Sequence, residues 1–214
     1  MQTIFIKIME AIKNIIFDLG GVLLNIDYNK TADGFSKLGV EHFDDLFSQY
    51  TANDLFENFE TGKISEDEFY DQMISYCAPG TTREQVCYAW DAMLLTYRSE
   101  TLDIITTLRK NYKVFLLSNT NSIHITAFKK IFTRDTGMPS LDEYFDRAYY
   151  SHLIHYRKPY LDTYHYVLQD GNMEAHETLF IDDSIQNIEG AKIAGMQTHL
   201  LLPSKTIGDI DLLK

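Results

Sequence analysis

Residues 14–25 read Asn-Ile-Ile-Phe-Asp-Leu-Gly-Gly-Val-Leu-Leu-Asn. Ile15, Ile16 and Phe17 are strand formers, and they run straight into a carboxylate at Asp18. An unbroken apolar run of this kind is the pattern of a strand buried on both faces of a parallel sheet. Open α/β sheets place their ligands just outside the carboxyl ends of such strands, where this reading puts Asp18. Gly20 and Gly21 follow at once, allowing a tight turn and a close approach of backbone to a ligand.

Four further apolar runs read as buried strands: 113–117, 147–150, 178–181 and 198–202. Helical patterns separate them, at 99–111, 122–132, 160–169 and 184–194. Strand and helix in alternation predict an α/β fold, a Rossmann-like three-layer core with a parallel sheet between helices. The gap after the first strand is different. Residues 27–96 show amphipathic helices and no strand signal. Ser65 with Glu68 forms a capping-box pattern, Thr81 with Glu84 is a second candidate, and Pro79-Gly80 separates the two helices. Residues 27–96 are therefore expected to form a helical-bundle cap inserted into a core made of 1–26 and 97–214. Trp90, Tyr88 and the Phe residues of this segment are expected in the bundle core.

The chain has 214 residues, enough for one domain carrying a smaller inserted one. A formal net charge of −12 argues against nucleic acid or an anionic membrane as partner. It leaves room for a small phosphorylated metabolite, which a local cluster of lysine, hydroxyl and metal can hold. Cys77 and Cys87 show neither metal-ligand spacing nor a disulfide framework, as expected of a reduced cytoplasmic protein. No apolar run is long enough to span a bilayer. Met1–Ile8 lacks the apolar core and cleavage site of a signal peptide, and with Met9 just before the first strand it reads as an extension from an upstream start codon.

The predicted strands end in chemically useful residues. The first ends in Asp18, the second in Ser118-Asn119, and the fourth in Asp182-Asp183; Lys158-Pro159 lies between the last two. Facing carboxylates repel unless a cation sits between them. Hard oxygen donors beside a phosphate suit Mg²⁺, which neutralises the anion and lets a carboxylate approach it. Ser118 and the N–H groups of the next helix can hold phosphate oxygens, and Lys158 adds a compact positive charge. Asp18 can then attack phosphorus and split one hard hydrolysis into two steps. Ser118-Asn119 could also serve simply as a helix cap. The histidines show no ligand pattern; His152 and His155 stand three apart near Lys158.

Taken in order, Phe17–Val22, Leu117–Asn119, Arg157–Pro159 and Ile181–Ser184 with Asn187 and Ala191 resemble the four motifs of the haloacid dehalogenase-like hydrolase superfamily. The resemblance covers essentially the whole chain. The Asp-Leu-Gly form of the first motif, the run Asp182–Ala191 and Glu60-Thr-Gly-Lys-Ile-Ser65 are most similar to the branch of alpha-D-glucose-1-phosphate phosphatase-like proteins. The resemblance implies Asp18 as nucleophile and Mg²⁺ held by Asp18, the carbonyl of Gly20 and Asp183. It implies a phosphoryl group held by Ser118, Asn119 and Lys158, with the backbone at Leu19 and Gly20 beside it. Asp182 would act by hydrogen bond or through a metal-bound water. Glu60 would face the substrate from the cap.

One position departs from the superfamily pattern. Most of its phosphatases carry a second aspartate two residues after the nucleophile, as acid and base; here that position is Gly20. General acid–base help is worth about 10²–10⁴-fold. Three consequences stay open: another group such as Glu60 or a metal-bound water supplies the proton, the leaving group needs little help, as a sugar 1-phosphate would, or the protein binds a phosphorylated metabolite without turning it over. A mutase or a dehalogenase would also fit the fold, but dehalogenation needs no metal, which Asp183 argues against.

Overall fold

The computed structural model describes residues 12–47 and 52–210; Met1–Ile8 and Met9 lie outside them. Five strands form one parallel sheet: β1 (Asn14–Phe17), β4 (Lys113–Ser118), β5 (Arg147–Tyr150), β6 (Thr178–Asp182) and β7 (Gln197–Leu200), in the order β5-β4-β1-β6-β7. The chain builds outward from β1 on one side, to β4 and β5, then crosses to the other side for β6 and β7. β1 is thus the switch point of the sheet, where open α/β folds form their ligand crevice.

Alternation along the strands fills both faces. Ile15 and Phe17 of β1, Val114 and Leu116 of β4, and Leu179 and Ile181 of β6 pack into one apolar cluster. Ile16, Phe115, Leu117 and Phe180 point into the cluster on the opposite face. The period of two explains why these strands are apolar at every position. Helices α6 (Glu100–Leu108), α7 (Ser122–Thr136), α9 (Leu161–Asp170) and α10 (Ile185–Ile193) lie between the strands in sequence, as their patterns predict. A one-turn helix, α8 (Ser151–Ile154), follows β5 directly.

Between the first strand and Tyr97 the chain forms α1 (Tyr28–Lys37), α2 (Phe43–Leu46), α3 (Asp54–Glu60), α4 (Glu66–Tyr76) and α5 (Arg83–Asp91). They enclose an apolar cluster of their own, rich in rings: Phe56, Phe59 and Phe69 surround Trp90 or one another at centroid distances of 4.2–5.8 Å. The Ser65–Glu68 capping box is present at the start of α4.

Three expectations need correction here. The segment does carry strand: β2 (Leu24–Ile26) pairs antiparallel with β3 (Leu94–Tyr97), the chain leaving toward the cap helices on one and returning on the other. The second capping box uses Thr82 and Gln85, one residue beyond Thr81 and Glu84. Tyr88 is 83% exposed, because α5 buries the stripe Val86, Ala89 and Trp90 and Tyr88 falls on the other side. Among the described residues no helix is long and apolar enough to cross a membrane.

Candidate active site

Asp18 leaves β1 with its N–H bonded to the carbonyl of Ile181 (2.9 Å), so its position is fixed by the continuation of the sheet ladder. The turn that follows is tight: both Leu23 N–H and Leu24 N–H donate to the carbonyl of Leu19. Gly21 has φ +72°, and a side chain there would run into the carboxylate of Asp183. Glycine at 21 is therefore what lets the loops after β1 and β6 come together. Leu19 has its side chain in the core and its carbonyl in this turn, which leaves its N–H as the group able to face a ligand.

Lys158 is almost wholly buried, and all three of its ammonium hydrogens are matched. Nζ lies 2.6 Å from Asp18 Oδ1, 2.7 Å from Asp182 Oδ2 and 2.9 Å from the carbonyl of Leu117. Asp182 is fully buried and saturated: Oδ1 accepts from Ser184 N–H (2.8 Å) and Asn187 Nδ2 (3.0 Å), while Oδ2 accepts from Lys158. It orients the lysine by hydrogen bond. Asn119 has a duty the sequence does not reveal. Its Oδ1 accepts from Lys158 N–H (2.9 Å) and its Nδ2 donates to Lys158 carbonyl (2.8 Å), so this side chain clamps the backbone of the lysine. Ser118, 4% exposed, makes only a long contact of 3.4 Å to Asn119 carbonyl and keeps its hydroxyl beside the cavity.

Asp18, Asp182 and Asp183 bring carboxylate oxygens within 4.8 Å of one another. One lysine can offset only one of these three charges. Burial, with Asp182 and Asp183 adding repulsion, pushes Asp18 up to about 8 although Lys158 pulls the other way. Asp183 is pushed up to about 6 by burial and by Asp182. Crowded hard oxygens with uncompensated negative charge fit a divalent cation. Asp18, Asp182 and Asp183 together could hold a divalent cation, and Gly20 lines the same cavity.

A cavity of about 140 Å³ opens over this cluster, roofed by cap residues Tyr28, Phe47 and Glu60. Glu60 does face it, but as half of an ion pair: Nε and Nη2 of Arg157 both lie 2.9 Å from its Oε2, and both side chains are largely buried. His155 Nδ1–H donates to Thr61 carbonyl (2.9 Å), and Gly62, at φ +66°, sits so close to the carbonyl of His152 that no side chain would fit. The turn 60–62 is thereby seated on the loop 152–157 and closes the cap onto the core. Burial raises the Glu60 carboxyl and Arg157 lowers it, so the pair is a buried one whose halves depend on each other. We expect Arg157→Leu to lower unfolding free energy by about 3 kcal/mol, because it strands a buried carboxylate, and Arg157→Leu with Glu60→Leu to recover most of that. Denaturant titration checks both; equal stability of the single variant and the parent would show that the pair does not hold the cap.

Comparison with known proteins agrees with this geometry. The haloacid dehalogenase-like hydrolase family model matches residues 12–195. The chain is similar to the D-ribitol-5-phosphate phosphatase of Bacteroides thetaiotaomicron, 37% identical over 188 residues covering 87% of this chain and 90% of that one. Its fold is similar to that of a haloacid dehalogenase-family enzyme from the same organism, an aspartate-to-alanine variant crystallised with magnesium and inorganic phosphate, at a TM-score of 0.83, 31% identity and coverage of 91% and 96%. A predicted hydrolase of this family from Porphyromonas gingivalis superposes at a TM-score of 0.80 with 33% identity, covering 91% and 93%. The four motif segments, the sheet order and a family match across most of the chain lead to one assignment: the protein belongs to the haloacid dehalogenase-like hydrolases.

Proposed function

We propose that the protein is a Mg²⁺-dependent phosphatase acting on the phosphate monoester of a small polyol or sugar, through an aspartyl-phosphate on Asp18. The observation that carries this reading is the meeting of Asp18, Lys158 and Asp183 at the switch point of the sheet, beside a cavity also lined by cap residues. The ribitol-phosphate phosphatase relative supports the substrate class, and the magnesium and phosphate bound by the structural relative support the metal.

The residues divide the work as follows. Asp18 supplies the attacking oxygen, in line with the ester bond that breaks. Lys158 places positive charge beside that oxygen and the transferring group, held there by Asp182 and Asn119. The Ser118 hydroxyl, beside the cavity, and the N–H of Leu19 receive phosphoryl oxygens. Asp18, Asp183 and the Gly20 carbonyl would hold Mg²⁺, which supplies charge neutralisation when bound. Water then attacks phosphorus and frees Asp18.

A panel of phosphate monoesters assayed for phosphate release, with polyol 5-phosphates, sugar 1-phosphates and nucleotides side by side, tests the reading. The proposal expects Mg²⁺-dependent turnover that is fastest among the small polyol and sugar esters. A preference for nucleotides would refute the substrate class. A folded protein that binds phosphate and releases none from any ester would leave the non-catalytic binder, the reading that Gly20 favours.

A further inference from the structure

Position 20 carries no side chain, and the tip of Ile26 lies beside it. A Cβ at Gly20 would stand 2.9 Å from Cδ1 of Ile26, so the usual acid–base aspartate could not be placed there without moving that side chain. A primary alcohol such as ribitol leaves phosphorus as a strongly basic alkoxide and needs a proton, unlike the better leaving group of a sugar 1-phosphate. A donor must therefore reach the leaving oxygen from another direction. In-line attack by Asp18 sends that oxygen away from the sheet, toward the cap.

Strand alternation brings one tyrosine to the same cavity. Ile26 ends β2, and Asp27 keeps extended backbone (φ −144°, ψ 98°) before α1 begins. Residues 24, 26 and 28 therefore share a face, and Leu24, Ile26 and Tyr28 all line the cavity with Asp18. Tyr28 thus stands two residues beyond Ile26, on the same side. Its ring is braced by Phe47, 6.0 Å between centroids. Among the described residues no hydrogen bond engages its hydroxyl, and burial favours the protonated phenol that tyrosine already is near pH 7. Among the described residues the competing donors Glu60 and His124 are engaged. Glu60 is paired with Arg157. His124 donates Nε2–H to Trp90 carbonyl and accepts at Nδ1 from Asn121, and burial lowers it to about 4, so it is neutral near pH 7.

We propose that Tyr28 is the catalytic proton donor to the leaving alcohol, in the role that Gly20 leaves open. The inference rests on the phosphatase reading above. As an Asp18 carboxylate oxygen bonds to phosphorus, the P–O ester bond breaks and the phenol proton passes to the departing oxygen, giving the neutral alcohol and a phenolate. In the second step water bonds to phosphorus, its proton returns to the phenolate, and the Asp18–phosphorus bond breaks to release phosphate.

Tyr28→Phe, which removes only the unengaged hydroxyl, separates this from a structural role when assayed on two esters. D-ribitol 5-phosphate has a leaving group that needs a proton; p-nitrophenyl phosphate has one that does not. The expected result is a fall in kcat/KM of about 10²–10⁴-fold on the ribitol ester that far exceeds the loss on the nitrophenyl ester. Equal losses on both esters, or an unchanged rate on the ribitol ester, would overturn the proposal. A parent enzyme that hydrolyses neither ester would instead overturn the phosphatase reading itself.

Discussion

Asp18→Asn is expected to abolish phosphate release, by on the order of 10⁴–10⁶-fold in kcat, the scale seen when a catalytic nucleophile is removed. The amide has nearly the shape of the carboxylate and can still accept from Lys158 Nζ, now 2.6 Å from Oδ1, so the fold and the lysine should stay in place. What is lost is the nucleophile and one of the crowded charges. Removing that charge relieves the repulsion that pushes Asp18 up, so the variant should be at least as stable as the parent. Affinity for inorganic phosphate, measured by calorimetry, should survive or rise. Turnover that persists in Asp18→Asn would show that the nucleophile is elsewhere.

Removal of the metal should have an effect nearly as large. Chelation is expected to take activity to background and readdition of Mg²⁺ to restore it, because one buried lysine cannot neutralise three carboxylates and a phosphate together. Asp183→Asn separates the ligand from the metal's other effects. It should weaken Mg²⁺ binding, read directly by calorimetry, and lower activity in parallel at fixed Mg²⁺. Asp182→Asn should act differently: it removes a charge from Lys158 rather than a ligand, so Mg²⁺ binding should hold while the rate falls. Activity that resists chelation would remove the metal from the account.

The sheet was legible because its strands are buried on both faces. Runs such as 15–17 and 114–117 are apolar without interruption, and their ends carry the carboxylates and hydroxyl that meet in the site. The hairpin was not legible. Leu24–Ile26 and Leu94–Tyr97 are three and four residues long and pair across the whole helical insert, so neither leaves a local period to read. The same limit hid the clamp of Asn119 on Lys158, the pairing of Glu60 with Arg157, and the presence of Ile26 at Gly20. Each joins residues that only the folded chain brings together. Tyr28 was hidden for the same reason, since only the folded chain shows that it lines the cavity with Ile26 and Asp18.

The central claim is that hydrolysis passes through a phosphoryl group on Asp18, and the stereochemistry at phosphorus tests it most directly. A phosphate ester made chiral with oxygen isotopes, hydrolysed in isotopically labelled water, reports how many displacements occur. Attack by Asp18 followed by attack of water inverts phosphorus twice, so the account predicts net retention of configuration. Net inversion would mean that water attacks the substrate directly, and would contradict Asp18 as the nucleophile.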